Sequence, residues 1–379
     1  MSQAAELIER ARAFRREVVD ANAAAWERER KPPLDALRMA AEAGFLGTDV
    51  PVEAGGLGLG FAAKLAMVEA IAEGDMPFSF SLVNTHNCAA KLARDGTGEH
   101  RATHVPALLK AEKFGCAGLT EPNAGSDFAA IQTMAKKVDG GWVLNGEKAW
   151  ITNAAFADLF VVYAQTDPGS RGRGIACFLV EADKPGFERQ PAFQLFGGHA
   201  IGAGGFAMKD YFVADKDVLH PPGEAFKAAL GSINGARTYV AGMCCAMLKR
   251  SLAIAVAYGQ ERETFGQPLL KHQGWRWQLA DVANDWQALR LLTDRACSAI
   301  ESGGDEAILA AAQAKKFCAR VTVPGVTACI QAMGAYGLRD DVPLGRHLAG
   351  AKIAAYVDGS TEIQNERIGA ALPEMFPAD

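Results

Sequence analysis

"GGWVLNGEKAWITN" occupies residues 140–153. Two pairs, Gly140-Gly141 and Asn145-Gly146, bracket short runs of Trp, Val, Leu and Ile. Strands joined by tight turns have this texture, because glycine and asparagine reach the left-handed backbone that such turns need. "ADLFVVYAQTD" (157–167) and "GIACFLVEAD" (174–183) read as further apolar strands. A β domain is therefore expected over residues 113–220, with Pro221 and Pro222 punctuating its exit.

On the N-terminal side, residues 1–112 read as helical. Leu34, Leu37, Met39, Ala40 and Ala43 recur at spacings of about three and four. "GGLGLG" (55–60) interrupts them; no strand precedes it and no acid follows at dinucleotide spacing, so it reads as a connecting loop. On the C-terminal side, residues 221–379 turn helical again. "INGARTYVAGMCCAMLKRSLAIAVAYGQER" (233–262) holds no proline, and Trp275, Leu279, Val282, Trp286 and Leu289 lie near heptad spacing. A third helical stretch is expected to break at Pro324. Long antiparallel helices of this kind close economically as a bundle. The expected order is an N-terminal all-α domain, a middle β-barrel or sandwich domain, and a C-terminal four-helix bundle.

A net charge of −5 with no long basic run points away from nucleic acid and from anionic membranes. No run of uncharged apolar residues reaches the roughly 20 that a membrane span needs, so no membrane partner is expected. Acids and bases alternate through the first 31 residues, unlike a secretory or transit peptide, which makes the cytoplasm the expected location. Eight cysteines (88, 116, 177, 244, 245, 297, 318 and 329) form no C-x-x-C pair and read as reduced, buried thiols. The histidines are dispersed, and no metal site is expected.

Four stretches could carry chemistry. "CAGLTEPNAGSDFAAI" (116–131) is a loop rich in glycine and hydroxyls, whose amides can approach a flat or anionic ligand. Trp150-Ile151-Thr152-Asn153 sets a ring beside a hydroxyl. "QERETFGQPLLKHQ" (260–273) offers a cation, a ring and an amide between two long helices, and "YVDGSTEIQ" (356–364) sets Asp358 directly before a glycine. Alone, each reads equally well as an ordinary loop, a strand end or a turn.

Together, and in this order with "QAMGAYG" (331–337), they resemble the flavin-dependent acyl-CoA dehydrogenases from about residue 35 onward. The resemblance implies the three-domain fold above and FAD as cofactor. It implies that Leu119, Thr120, Gly125 and Ser126 contact the flavin, with Ser126 also near the CoA arm. Trp150, Ile151 and Thr152 would lie against the flavin ring. Arg262, Phe265 and Gln273 would reach the FAD of a neighbouring subunit, with Gln331 and Gly334 as further contacts and Ser360 and Glu362 at the same end. Arg237 and Gly359 would sit at the substrate cleft. A shared cofactor implies a homo-oligomer, usually a tetramer, with a dimer as the other possibility. The implied reaction moves the α-proton of an acyl-CoA thioester to a carboxylate base and the β-hydride to flavin N5. Electrons would then pass to an electron-transferring flavoprotein.

The sequence departs from the family where the base should be. Most members carry Glu in a Tyr-Glu-Gly-Thr setting, whereas this chain reads Val357-Asp358-Gly359-Ser360. The second base position known in the family is Ala236, which leaves Asp358 as the motif-placed candidate. Its side chain is shorter by one C–C bond, about 1.5 Å. A misplacement of that size costs on the order of a hundredfold in rate, so a compact cyclic, branched or short acyl group is expected. Asp at this place resembles the alicyclic branch that acts on cyclohexanecarboxyl-CoA-type substrates. Two alternatives stay open: a nitroalkane oxidase-like flavoenzyme, and a catalytically silent flavoprotein of the same fold.

Overall fold

Among the residues that precede the β region, apolar periodicity builds six α-helices in this computed structural model, which describes residues 2–377. Met1 and Ala378-Asp379, the outer ends of the expected first and third segments, lie outside the described residues. The six are α1 (Gln3–Phe14), α2 (Asp20–Glu29), α3 (Leu34–Glu42), α4 (Gly60–Ala72), α5 (Met76–Asp95) and α6 (Gly98–Leu109). The glycine-rich 55–60 stretch does connect α3 to α4. Helix α5 is the centre of this group. Asp75 caps it, accepting the Phe78 amide at 2.8 Å, and Pro77 occupies its first turn, where no amide is missed. Most of its twenty residues are buried, because it lies between α4, α6 and the first strand.

Eight strands follow: β1 (Gly115–Gly118), β2 (Met134–Val138), β3 (Gly141–Ile151), β4 (Leu159–Gln165), β5 (Ile175–Glu181), β6 (Phe187–Arg189), β7 (Gly204–Ala214) and β8 (Val218–His220). They form one sheet in the order β6-β7-β3-β2-β4-β5-β8, with β1 parallel to β4. β4 shows the two-residue period of a strand buried on both faces. Leu159, Val161 and Tyr163 face α5 and α6, while Phe160, Val162 and Ala164 face a second core. In that second core the sheet folds back on itself. Phe160 of β4 and Phe187 of β6 are far apart in strand order, yet their rings lie 4.8 Å apart. The expected barrel or sandwich is thus present as one curled sheet.

The Gly140-Gly141 turn joins β2 to β3 as expected. Asn145-Gly146 is not a turn. It runs through β3 as strand, opposite a bulge in β7 where Lys209 and Asp210 face Asn145, and a Cβ added at Gly146 (φ 152°) would meet Thr133 Cα at 2.6 Å.

The C-terminal part comprises α7 (Ala225–Glu261), a small hairpin of β9 (Glu263–Thr264) and β10 (Gln267–Pro268), α8 (Gln273–Ser302), α9 (Glu306–Met333), α10 (Leu344–Ala354) and α11 (Thr361–Met375). Helices α7, α8 and α9 pack together, α10 lies against α7 and α9, and α11 against α9. Against expectation, Pro324 does not break α9. The next residue, Gly325, presses on Leu248 of α7 and Val282 of α8, at 2.6 and 3.1 Å from an added Cβ. The packing on both sides holds the helix through the proline. By length and mean hydropathy α7 and α9 could each cross a bilayer, although neither holds an uncharged apolar run of about 20 residues. Here they pack on one another and on the bundle. All eight cysteines are free and buried.

Candidate active site

The loop 119–133 and the end of β3 are locked together by charges the sequence reading did not single out. Lys148 of β3 is fully buried and donates to Glu121 Oε1 at 2.8 Å and to the Leu119 carbonyl at 3.1 Å. Glu121 also accepts the amides of Gln132 (2.6 Å) and Thr133 (2.9 Å). Burial pushes Lys148 down to about 8 against the pull of Glu121. Burial pushes Glu121 up, but Lys148 and the two amides outweigh it and hold the carboxyl below its usual range. The Ala149 amide donates to the Thr120 carbonyl at 3.0 Å, completing the clamp. Leu119 and Thr120 are thereby held against the end of β3 that leads into Trp150, Ile151 and Thr152, with Gly125 next to Thr120 on the same loop as Ser126. A signal for the pair was available: Lys148 falls on the same strand face as buried Leu144, where a cation requires a partner.

Beyond the clamp the chain stores strain. Trp150 has φ 61° and Asn153 φ 66°, unusual for non-glycine residues and costly for the indole. A bulge between Lys148 and Ile151 turns Trp150 outward, 62% exposed, with its ring 4.6 Å from that of Phe193. Asn153 secures the turn to α5, donating to Ser81 O (2.9 Å) and Gly115 O (3.2 Å) and accepting from Ser81 Oγ (2.7 Å). Strain of this kind persists only where the surrounding packing over-determines it, as the Asn153 bonds do here.

Asp358 lies between α10 and α11 in the left-handed region at φ 55°, followed by Gly359 at φ 97°. Aspartate tolerates that conformation better than most residues, and a Cβ on Gly359 would meet Gln364 Nε2 at 2.8 Å. Three side chains hold the loop by its carbonyls. Arg237 Nε donates to Asp358 O (3.1 Å), while Gln364 Nε2 (3.0 Å) and Lys315 Nζ (3.4 Å) donate to Gly359 O. The carboxylate itself is left free: Oδ2 is buried without a hydrogen-bond partner. Burial pushes Asp358 up to about 6, against Lys315 and Arg237, which pull it down. A recessed carboxylate near 6 with an unpaired oxygen has the properties of a general base at neutral pH.

Arg237 is itself buried, and its Nη1 donates to Asn234 Oδ1 at 3.0 Å. Its bonds therefore place it beneath the Asp358 loop. Ala236 is buried next to it and offers no second carboxylate. Ser360 takes the N-cap position of α11 with extended backbone, and Glu362 in the first turn is held below its usual range by the Ser360 hydroxyl.

The remaining sequence-selected residues form a separate cluster at the other end of the bundle. The β9–β10 hairpin carries Arg262 and Phe265, and Gln273 opens α8. Trp275 Nε1 donates to Ala332 O at 2.8 Å, tying that end of α8 to the end of α9 that bears Gln331 and Gly334. Phe265 is 99% exposed. The structure thus groups the selected residues in three places: the clamped loop beside the end of β3, the Asp358 loop, and a distal, exposed hairpin cluster.

Comparison with known proteins matches the whole length of this architecture. The family models described as acyl-CoA dehydrogenase N-terminal, middle and C-terminal domain match residues 2–112, 116–211 and 223–372. The chain is 33% identical over 334 residues to the short/branched chain specific acyl-CoA dehydrogenase, mitochondrial, of Rattus norvegicus, covering 88% of this chain and 77% of that protein. A structure solved as the electron transferring flavoprotein of Acidaminococcus fermentans superposes with a TM-score of 0.93 at 30% identity, over 98% of both chains. The FAD complex of PigA gives a TM-score of 0.93 at 26% identity over 99% of both chains.

Proposed function

The chain belongs to the acyl-CoA dehydrogenase family of FAD-dependent oxidoreductases, and from this premise we propose that it introduces an α,β double bond into a compact acyl-CoA with Asp358 as the base. The observation that carries the reading is the Asp358 carboxylate, raised to about 6 and buried with Oδ2 unpaired, on a loop pinned by Arg237, Gln364 and Lys315.

The residues present fit FAD. A Cβ added at Gly125 would meet nothing nearer than Thr120 Cγ2 at 3.9 Å, so the loop leaves room for close approach of a ligand to its backbone. The exposed Trp150 offers a ring surface beside it. Leu119, Thr120, Gly125, Ser126 and Trp150 to Thr152 would hold the ring system. Arg262, Phe265, Gln273, Gln331 and Gly334 would serve a neighbouring subunit's cofactor. FAD, when bound, supplies the acceptor for the hydride leaving the β-carbon.

The protein's own part is to desolvate, orient and deprotonate. Asp358 takes the α-proton on Oδ2, and the low-dielectric recess that raises its pKa also strengthens its basicity toward a weak carbon acid. Arg237 and Lys315 grip the loop by its carbonyls, so the carboxylate stays directed while its charge is only partly compensated. Ser126, Arg237 and Gly359 would border the CoA cleft. The short Asp358 side chain and Val357 favour a cyclic, branched or short acyl group. Exposed Phe265, Trp277, Leu291 and Leu338 favour a homo-oligomer, a tetramer by resemblance. The same resemblance makes an electron-transferring flavoprotein the acceptor.

The deciding experiment is anaerobic mixing of the FAD-loaded protein with a panel of short, branched and alicyclic acyl-CoAs. Bleaching of the flavin band with at least one compact member is expected. No bleaching with any member, or oxygen consumption with nitroethane alone, would overturn the reading. The pH dependence follows from Asp358. The base works unprotonated, so the limiting reduction rate should be flat above about pH 7 and fall tenfold per pH unit well below about 6. A rate that is level from pH 8 down to 5 would remove Asp358 from the role.

A further inference from the structure

Lys315 of α9 is fully buried, and among the described residues no carboxylate pairs with it. Its Nζ reaches only the Gly359 carbonyl, at 3.4 Å, which is long for an ammonium donor. Taking an ammonium out of water is costly, and one carbonyl at that distance repays little of the cost. The residue next to Gly359 has the opposite need: Asp358 Oδ2 is buried and also without a hydrogen-bond partner. Two opposite charges thus meet at one loop with no bond between them.

The packing of α7 on α9 puts Lys315 there. Lys315, Cys318, Thr322 and Gly325 recur at three and four along one buried stripe of α9. Gly325 seats Leu248 of α7, and about three turns earlier on each helix Arg237 and Lys315 reach the carbonyls of 358 and 359. Of the two cations that pull the Asp358 carboxyl down, Lys315 is the stronger.

The other charged groups around the loop are committed elsewhere. Arg237 Nε bonds to Asp358 O and Nη1 to Asn234, and Arg367 of α11 opposes its charge. Glu362 of α11 is exposed and bonded to the Ser360 hydroxyl. On α10, Lys352 is exposed and lies 5.3 Å from the centre of the Tyr356 ring. Burial pushes the Tyr239 phenol of α7 well above its ordinary value, so it stays neutral. It accepts from Asn87 Nδ2 of α5 at 3.1 Å, and Asn87 Oδ1 accepts from Lys64 of α4, the partner of Asp49, at 2.8 Å.

Resting on the reading of Asp358 as base, we propose that Lys315 is a positioning residue that acts by charge: its ammonium holds the Asp358 carboxylate ionised at neutral pH. Burial alone would make the carboxyl basic and leave much of it protonated. A counter-charge that does not bond to Oδ2 keeps it ionised and leaves that oxygen free for the α-proton. Once Asp358 has taken the proton, the Lys315 charge is uncompensated, which favours loss of the proton to solvent and return of the base.

The test is the pH dependence of anaerobic flavin reduction in the FAD-loaded protein, with butyryl-CoA and cyclohexanecarboxyl-CoA as substrates. Lys315→Gln keeps an amide donor for Gly359 O but no charge, and its acid limb should move up by about one pH unit. Lys315→Met loses donor and charge and should shift the limb equally, whereas Lys315→Arg should keep the wild-type limb. The midpoint is read separately from the plateau rate, so a disturbed loop does not imitate the shift. A second readout needs no substrate. The stability that Asp358→Asn gains over the carboxylate between pH 4 and 8, read from urea midpoints, should be larger in the Lys315→Gln background. Unmoved limbs in Lys315→Gln and Lys315→Met, or a limb raised as far in Lys315→Arg, would overturn the inference and leave Lys315 a tether of the loop. An equal stability gain in both backgrounds would overturn it whatever the substrate. Absence of reduction by every acyl-CoA would overturn the acyl-CoA reading instead, and the urea comparison would still decide the role of Lys315.

Discussion

Asp358→Asn is expected to slow anaerobic flavin reduction by about 10²–10⁴-fold, the range for removing a positioned general base, while FAD stays bound. The substitution is a clean one for this position. Asparagine tolerates the left-handed backbone at φ 55° as readily as aspartate does, and the loop is gripped through the carbonyls of 358 and 359 rather than through the side chain. The same change should raise stability at neutral pH. Asp358 is pushed to about 6 from 3.8, so the folded state binds its proton more tightly than the unfolded chain does. The carboxyl therefore costs little below pH 4, and the cost grows as pH rises through 6. At about 1.4 kcal/mol per pH unit, the full cost above pH 7 is on the order of 3 kcal/mol. The variant should thus unfold at higher denaturant than the wild type at pH 8, and at nearly the same concentration at pH 4. A variant that keeps more than a tenth of the rate would exclude Asp358 as base. A variant that loses both FAD and stability would show that the carboxylate is structural.

Much of the architecture was legible because it is written in periodicities. Three- and four-residue apolar spacing marked the helices on both sides, and the Gly140-Gly141 turn marked the hairpin between β2 and β3. The Asp358 loop was legible for a different reason: an Asp-Gly pair between two helical segments has few backbone options, and both residues do take positive φ. What escaped depended on contacts distant in sequence. Asn145-Gly146 carries the same local signal as a turn, but β7 pairs along β3 on both sides of it and keeps it in the strand, with the extra residue taken up as a bulge in β7. Pro324 should stop a helix in isolation, and only the seat of Gly325 against α7 and α8 carries α9 through. The polar chain from Lys64 to Tyr239 joins α4, α5 and α7, whose spacing along the sequence conceals it. A single lysine in the apolar run "GFAAKLAMVEAIA" was its one local trace.

Lys148→Met should destabilise the protein by about 3–5 kcal/mol and strip it of FAD together. Removing one partner of a buried ion pair leaves the other charge desolvated and uncompensated, which is far costlier than the pair was worth. Glu121 would remain 6% exposed with only the Gln132 and Thr133 amides to satisfy it, and the Leu119 carbonyl would lose its donor. The consequence for function follows from position. Leu119 and Thr120 on one side and Trp150 to Thr152 on the other are held together by this clamp and by the Ala149–Thr120 amide bond. The strained indole at φ 61° relies on the same packing. Glu121→Gln alone should cost less, because its amide still accepts from Lys148 and from one of the two backbone amides. The double variant Glu121→Gln/Lys148→Met should be more stable than Lys148→Met alone, since no charge is then left buried without a counterpart. The readouts are the urea midpoint and the flavin absorbance retained after gel filtration. An unchanged midpoint with full flavin content in Lys148→Met would mean that the loop is held by its backbone alone. If stability falls while every molecule retains its flavin, the clamp supports the fold without shaping the cofactor ledge.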